Sequence, residues 1–100
     1  MYIGVARFEI FIPSSSSLKD KRQVVRSAMA AVRNKLNVAV AEVDHQDLWQ
    51  RSALGVSCVS ESAGRCHKVL QDVEKIVARS VIGNAEIIDR TIDVVDMEDM

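Results

Sequence analysis

The chain has few aromatic residues, few cysteines, almost no net charge and no long apolar run, and each shortage excludes a class of protein. Aromatics make up 4% of its 100 residues, so the core must be built from aliphatic side chains. Two cysteines are too few for the disulfide framework of a small secreted domain. A net charge of −1 does not indicate a strongly basic nucleic-acid binder. No apolar run reaches the ~20 residues of a membrane-spanning helix.

The rest of the composition is typical of one globular domain. Hydrophobic residues make up 48% of the chain and charged residues 27%, which is too apolar for disorder. We therefore expect residues 1–100 to form a single domain. Because no N-terminal segment has the order of a secretory signal peptide, we expect a cytoplasmic protein with two reduced cysteines. No motif indicates a cofactor or a metal ion.

Hydrophobic periodicity divides the chain into four strands and two helices. Short β-branched runs predict the strands, and an apolar period of 3.6 residues predicts the helices. The strands are predicted at residues 2–12, 38–44, 50–60 and 85–95, and the helices at 18–36 and 63–81. The acidic residues 96–100 are expected to fray. This β-α-β-β-α-β order predicts an α+β fold, the ferredoxin-like sandwich, in which a four-stranded antiparallel sheet carries both helices on one face.

Alternation along the strands predicts which face of the sheet each residue occupies. The even positions of strand one, and Leu54, Val56 and Cys58 of strand three, are predicted to face the helices. The last strand is less regular, because Arg90 falls among residues predicted to be buried, namely Ile88, Ile92 and Val94. A bulge or a one-residue shift would account for it.

The face away from the helices is also partly apolar. Ile3, Val5, Val38 and Val40 are predicted to lie there beside charged residues. An open sheet face of this kind can pair with a second copy of the chain, so a homodimer is one expectation.

Two motifs give the chain a resemblance to a known family. They are SLKDKR at residues 17–22 and VAEVDHQDLWQR at residues 40–51. With them, the chain resembles the YlxP-like family of small bacterial proteins over essentially its whole length. The resemblance implies a ferredoxin-like fold and, from the genes that habitually neighbour the family's own, a link to translation or ribosome maturation. It implies no reaction.

Charge is distributed unevenly along the chain. Residues 1–36 hold seven basic and two acidic residues, a net charge of +5, whereas residues 61–100 hold five basic and nine acidic ones, a net charge of −4. At about 100° per residue, four basic residues of the first helix fall within an arc of about 60°. This basic ridge consists of Lys19, Arg22, Arg26 and Arg33. It suits a phosphate backbone, although the same charges could instead pair with acids of helix two or the tail.

The segment DHQDLWQR connects strands two and three and concentrates donors, acceptors and one indole. A tryptophan there can stack on a single-stranded base, or it can cover the end of the core while the polar residues bond the hairpin amides. Both interpretations stay open. The residues concerned are Asp44, His45, Gln46, Asp47, Trp49 and Gln50.

Catalysis and metal binding have weaker support. His45 with Asp44 and Asp47 offers at most three ligands, and no motif places a nucleophile beside the histidine. The predicted open positions of strand three include no aromatic residue, which argues against RNA recognition across the sheet.

These observations favour a non-enzymatic binding module that meets RNA or a ribosomal subunit. The phosphate contacts are predicted to come from Lys19, Lys21, Arg22, Arg26, Arg33 and Arg51. The alternative is a protein-interaction or homo-oligomeric module without RNA binding, and a third hypothesis is a small-molecule or metal enzyme.

Overall fold

The computed structural model describes residues 1–99 and has the predicted order of elements. The elements are β1 (Tyr2–Phe11), α1 (Leu18–Lys35), β2 (Ala39–Asp44), β3 (Arg51–Ser60), α2 (Ala63–Ser80) and β4 (Glu86–Asp96). The strands form one antiparallel sheet in the order β2-β3-β1-β4. The ferredoxin-like α+β prediction is confirmed, and every predicted boundary lies within one residue of the observed one.

The core lies between the sheet and the two helices. Each helix starts at a serine that caps it: Ser17 Oγ accepts from the Asp20 amide at 3.1 Å, and Ser62 Oγ accepts from the Arg65 amide at 3.3 Å. The buried even positions of β1 pack against both helices, as predicted. At Gly4, a Cβ atom would come within 2.9 Å of both Cys58 Sγ and Leu70 Cδ1, so glycine lets α2 approach the sheet closely.

The predicted face of β2 is wrong. Val40 pairs with Val56 in the register between β2 and β3, and it therefore lies in the core with an exposure of 7%. Val38 packs against the same cluster. Because β2 has apolar side chains at both sets of alternate positions, alternation alone does not choose between the faces, and only the register with β3 does.

A bulge in β4 explains the position of Arg90. The register with β1 shifts so that Glu9 pairs with Asp89 and Ile10 with Ile87, which leaves Ile88 as the extra residue. Ile88 is exposed, so its predicted burial is wrong, and Ile87 packs against the core instead. Arg90 stays on the helix side at the sheet edge, where its Nε atom lies 2.8 Å from a carboxylate oxygen of Glu74 on α2.

Residues 96–99 of the acidic tail, which are expected to fray, adopt regular structure. Asp96 is the last residue of β4, and Met97–Asp99 form a 3-10 turn. The amide of Met97 donates to the carbonyl of Met1 at 2.9 Å, which ties the tail to the start of β1. Met100, to which the same prediction extended, lies outside the described residues.

Candidate nucleic-acid interface and the adjoining loop

The four residues of the basic ridge lie together on the flank of α1 that faces away from α2. All four are exposed. The opposite flank contributes Val24 and Ser27 to a groove shared with the end of α2. The ridge runs beside β2, at one end of the strand order, where Arg33 Nη2 donates to the carbonyl of Val40 at 3.0 Å.

Three cations of the ridge have no acidic partner in the structure. Among residues 1–99, no ion pair involves Lys19, Arg22 or Arg26. The acids of α2 pair elsewhere: Asp72 with Lys68, and Glu74 with Arg90. The expectation that the ridge charges pair with helix two or the tail therefore does not describe this surface.

Lys21 does not belong to the exposed surface, and its predicted role in phosphate binding is wrong. Its side chain is 1% exposed. Its Nζ atom donates to the carbonyls of His45 at 2.7 Å and Gln46 at 3.0 Å, and lies 3.2 Å from Glu42 Oε2. The two carbonyls thus accept hydrogen bonds from the ammonium group, and the Glu42 carboxylate compensates its buried charge as an ion pair.

The Lys21 contacts join the two motifs that carry the family resemblance. Lys21 lies in SLKDKR, and its three acceptors lie in VAEVDHQDLWQR. The carboxylate of Glu42 also accepts from Ser52 Oγ at 2.6 Å, which connects the same site to β3. Both motifs therefore serve, at this point, to fix the β2–β3 loop (residues 45–50) against the start of α1.

The β2–β3 loop is held at both ends. At its start, His45 adopts a left-handed backbone with a φ of 63°, and its carbonyl accepts from the Leu48 amide at 3.0 Å. At its end, the Gln50 side-chain amide donates to the Pro13 carbonyl at 2.9 Å, and the Gln50 carbonyl accepts from the Ile12 amide at 2.9 Å. The polar residues of the segment thus organise the hairpin, which agrees with the interpretation that they bond its backbone.

Between these anchors the loop exposes apolar surface. Trp49 is 55% exposed and Leu48 is 48% exposed, and Asp47 is exposed beside them. The expectation that the indole covers the end of the core does not hold at this exposure. A large apolar side chain on a fixed loop is available for contact with another molecule.

A second group of polar residues lies on the sheet face away from the helices. This open-face cluster consists of Arg7, Glu9, Asp44, His45 and Arg51. Glu9 is at its centre, with a side chain that is 15% exposed. Its Oε1 atom accepts from Arg7 Nη2 at 2.7 Å, and its Oε2 atom accepts from Arg51 Nη2 at 3.2 Å and lies 2.9 Å from His45 Nε2.

The contacts of the open-face cluster lower the pKa of both carboxyl groups. Burial alone raises the pKa of Glu9, but the hydrogen bonds from Arg7, Arg51 and His45 outweigh it, so that the net pKa lies below the ordinary value. For Asp44, the bond from the His45 amide at 2.8 Å lowers the pKa, and Arg7 adds to the effect. Both groups are therefore ionised at neutral pH, and they hold β1, β2 and β3 together.

The structure brings Arg51 and His45 together around Glu9. Arg51 lies on the open face, as the alternation of β3 predicts, and not on the ridge of α1, and its contact with phosphate stays a prediction. His45 pairs with Glu9, which periodicity could not indicate because 36 residues separate them. Its Nδ1 atom lies 3.9 Å from Asp44. In the described part of the chain, no group of three or more His, Cys, Asp or Glu residues converges as a metal site.

The remainder of the open face is apolar and shallowly grooved. Val5 and Val59 are exposed there, at 42% and 67%. Small residues line the neighbouring groove: Ala39, Ala41, Gly55 and Ser57. Val43 covers Gly55, where a Cβ atom would meet Val43 Cγ1 at 2.7 Å. Elsewhere, neither helix within residues 1–99 has the length and apolarity to cross a membrane.

Comparison with known proteins agrees with the resemblance. A family model described as "Protein of unknown function (DUF503)" matches residues 3–92. The uncharacterized protein YlxP of Bacillus subtilis (strain 168) is 42% identical over 71 residues, which cover 71% of this chain and 77% of that protein. The predicted similarity to the YlxP-like family is confirmed.

Solved structures share the fold at low sequence identity. A C-terminal segment of the alpha subunit of aIF2 from Pyrococcus abyssi superposes with a TM-score of 0.54 at 15% identity, over 97% of this chain and 51% of that one. A putative chlorite dismutase superposes with a TM-score of 0.62 at 10% identity, over 99% of this chain and 45% of that one. A de novo designed protein with a ferredoxin fold, LFR1 1, superposes with a TM-score of 0.52 at 9% identity, over 95% of this chain and 83% of that one. This chain spans about half the length of the first two.

Proposed function

Because this chain belongs to the DUF503 family of proteins of unknown function, we propose its function from its surface: it is a non-enzymatic module that binds RNA through the basic ridge of α1. The observation that carries the proposal is a row of exposed cations without acidic partners among residues 1–99. From Lys19 to Arg33 the row extends about 21 Å along the helix axis. Each cation that neutralises a phosphate releases counterions and adds affinity without reading sequence.

The strand order supports the proposal by separating the two signs of charge. The basic ridge runs beside β2, and the acidic strand β4 lies at the other end of the sheet. Exposed carboxylates on β4 include Glu86, Asp89 and Asp93. Although the net charge is −1, the chain can therefore turn its positive side, at α1, toward a polyanion and its negative side, at β4, away from it.

The family resemblance supports ribosomal RNA as the partner and the cytoplasm as the location. Its implied link to translation or ribosome maturation favours ribosomal RNA among the RNAs that the ridge could bind. We therefore propose association with a ribosomal subunit, which sedimentation of the tagged protein with purified subunits at low and moderate salt tests. Co-migration that is lost at moderate salt supports the proposal, and migration at the top of the gradient under both conditions contradicts it.

A charge-reversal experiment tests the basic ridge directly. The double variant R22E/R26E is compared with K75E/R79E, which changes the net charge equally through exposed residues of α2. Binding to a labelled single-stranded RNA is measured by fluorescence anisotropy across a salt series. Four phosphate contacts give a slope of about −3 in log K against log salt. R22E/R26E is expected to make this slope less steep and to weaken binding at low salt. Equal losses in the two double variants would show that net charge, not the ridge, controls binding.

Self-association through the open sheet face is the second candidate function. It is favoured by the exposed Val5 and Val59 beside a groove of small residues, since an isologous contact can seat the larger side chains of one copy in the groove of the other. Light scattering at micromolar concentrations is expected to show a dimer that V59E disrupts. The matched control is I82E, because Ile82 is equally apolar and 79% exposed but lies outside the sheet. A monomer at all concentrations contradicts this candidate.

A further inference from the structure

The β2–β3 loop is anchored on both sides of its exposed apolar residues. Lys21 holds the carbonyls of His45 and Gln46 on one side of Leu48 and Trp49, and Gln50 is bonded to the Pro13 carbonyl on the other. A side chain between two fixed anchors loses little further freedom on binding, which favours affinity. The loop therefore has the properties of a preorganised binding surface.

The residue that the loop presents is the one tryptophan of the chain. The core uses Phe8 as its large buried aromatic, whereas Trp49 keeps 55% of its surface exposed. No hydrogen bond of its indole is present within residues 1–99, and Leu48 beside it is also exposed. The indole faces solvent although its free energy of transfer favours burial, which indicates contact with a planar or apolar group of a partner.

The loop adjoins the first turns of α1, where the basic ridge begins. Lys21, which holds the loop, lies between Lys19 and Arg22 in the chain. Lys19 and Arg22, at the start of the ridge, therefore lie at the same end of the molecule as the loop that carries Trp49. A ligand that contacts both must combine phosphates with accessible ring faces.

We infer that Trp49 stacks on an unpaired base of the strand whose phosphates contact the basic ridge, so that the RNA recognised is single-stranded. This inference rests on the proposed function and specifies its substrate class. Bases within a duplex stack on one another and offer no free face, whereas single strands and loops do. Stacking on an aromatic side chain is largely independent of base identity, in keeping with a ridge that contacts only phosphates.

The test compares two RNA probes and three forms of the full chain. The probes are a 12-nucleotide oligouridylate and a 12-base-pair RNA duplex, and the proteins are the wild type, W49A and W49F. Because Trp49 is the sole tryptophan, quenching of the wild-type fluorescence reports its environment alone, and fluorescence anisotropy of the labelled probes measures the affinity of every form. A fourth form, Ile82→Ala, is the matched control, because Ile82 is an exposed apolar residue that follows α2 and belongs neither to the ridge nor to the loop.

We expect loss of the indole to weaken binding of the single strand but not of the duplex. Oligouridylate quenches Trp49, W49A weakens its binding by about 5- to 100-fold, and W49F retains most of the affinity because it keeps an aromatic face. Binding of the duplex is unchanged in W49A, and I82A behaves as the wild type with both probes.

Three other results have distinct meanings. If W49A binds oligouridylate as tightly as the wild type while R22E/R26E loses binding, the stacking inference is overturned and the proposed function stands. If neither probe binds the wild type at low salt, the proposed function fails and the inference fails with it. A preference for the duplex without any quenching also overturns the inference.

Discussion

The open-face cluster and the basic ridge both contain arginines, but the charges of those arginines are paired to different extents. In the cluster, one carboxylate of Glu9 contacts two arginines and a histidine. On the ridge, Lys19, Arg22 and Arg26 have no acidic partner within residues 1–99. Charges that are paired and partly buried connect strands, whereas exposed unpaired charges remain available to a ligand.

The largest effect on stability is expected at Lys21, a buried and paired cation, and its neighbour Arg22, an exposed cation, is the comparison. Lys21→Met leaves Glu42 and two backbone carbonyls without their cation and is expected to lower the free energy of unfolding by about 3 kcal/mol. Arg22→Met is expected to change it by less than about 0.5 kcal/mol, because Arg22 is exposed. Urea unfolding followed by circular dichroism measures both. Equal stabilities of the two variants would show that the buried Lys21 contributes no more to folding than the exposed Arg22.

The next effect concerns the centre of the open-face cluster. Glu9→Gln keeps the shape of the side chain but removes the charge that accepts from Arg7, Arg51 and His45, and we expect a loss of about 2 kcal/mol at pH 7. Glu61→Gln is the matched control, since Glu61 is an exposed acid outside the cluster. A loss no larger than that of the control would show that the cluster does not stabilise the sheet.

The same variant also tests how the stabilisation by Glu9 depends on pH. The pKa of Glu9 is lower in the folded state than its ordinary value of 4.5, so near pH 4 the unfolded chain binds more protons than the folded one. The stabilisation is complete above pH 4.5 and is lost as the pH falls through the folded pKa. The difference in unfolding free energy between wild type and E9Q should therefore shrink as the pH falls below 4.5. A difference that grows in acid would refute this assignment.

The smallest effect tests the backbone of the loop apart from its side-chain contacts. His45 has a φ of 63°, which costs a non-glycine residue about 1 kcal/mol. Both His45→Ala and His45→Gly remove the contact with Glu9, but only glycine also removes the strain. Thermal unfolding is expected to rank His45→Gly as more stable than His45→Ala by about that amount. The reverse ranking would mean that the left-handed conformation is not retained in solution.

The order of elements could be predicted from sequence because it depends on local periodicity and on capping residues such as Ser17 and Ser62. The face of β2 could not, because its alternate positions are apolar on both sides and the register with β3 decides. Arg90 signalled an irregularity in β4, and the bulge at Ile88 accounts for it.

The candidate site was predictable where it depended on the helical period and unpredictable where it depended on distant contacts. The exposed ridge follows from the period of α1. Lys21 shares its period with the buried Val25 and Val32, so a signal of its burial was present but was outweighed by its charge. The pairing of Glu9 with His45 joins strands far apart in sequence, and no local pattern encodes it.

The strand order has a consequence for how the chain folds during synthesis. β1 is made first but lies in the middle of the sheet, between β3 and β4. Its partners are residues 51–60 and 86–96, so an emerging chain carries an unpaired, apolar β1 until residue 60 has been made, and one edge of β1 stays open until residue 96 has. Such late pairing slows folding and leaves the nascent strand open to aggregation. Truncation before residue 86 would make that exposure permanent.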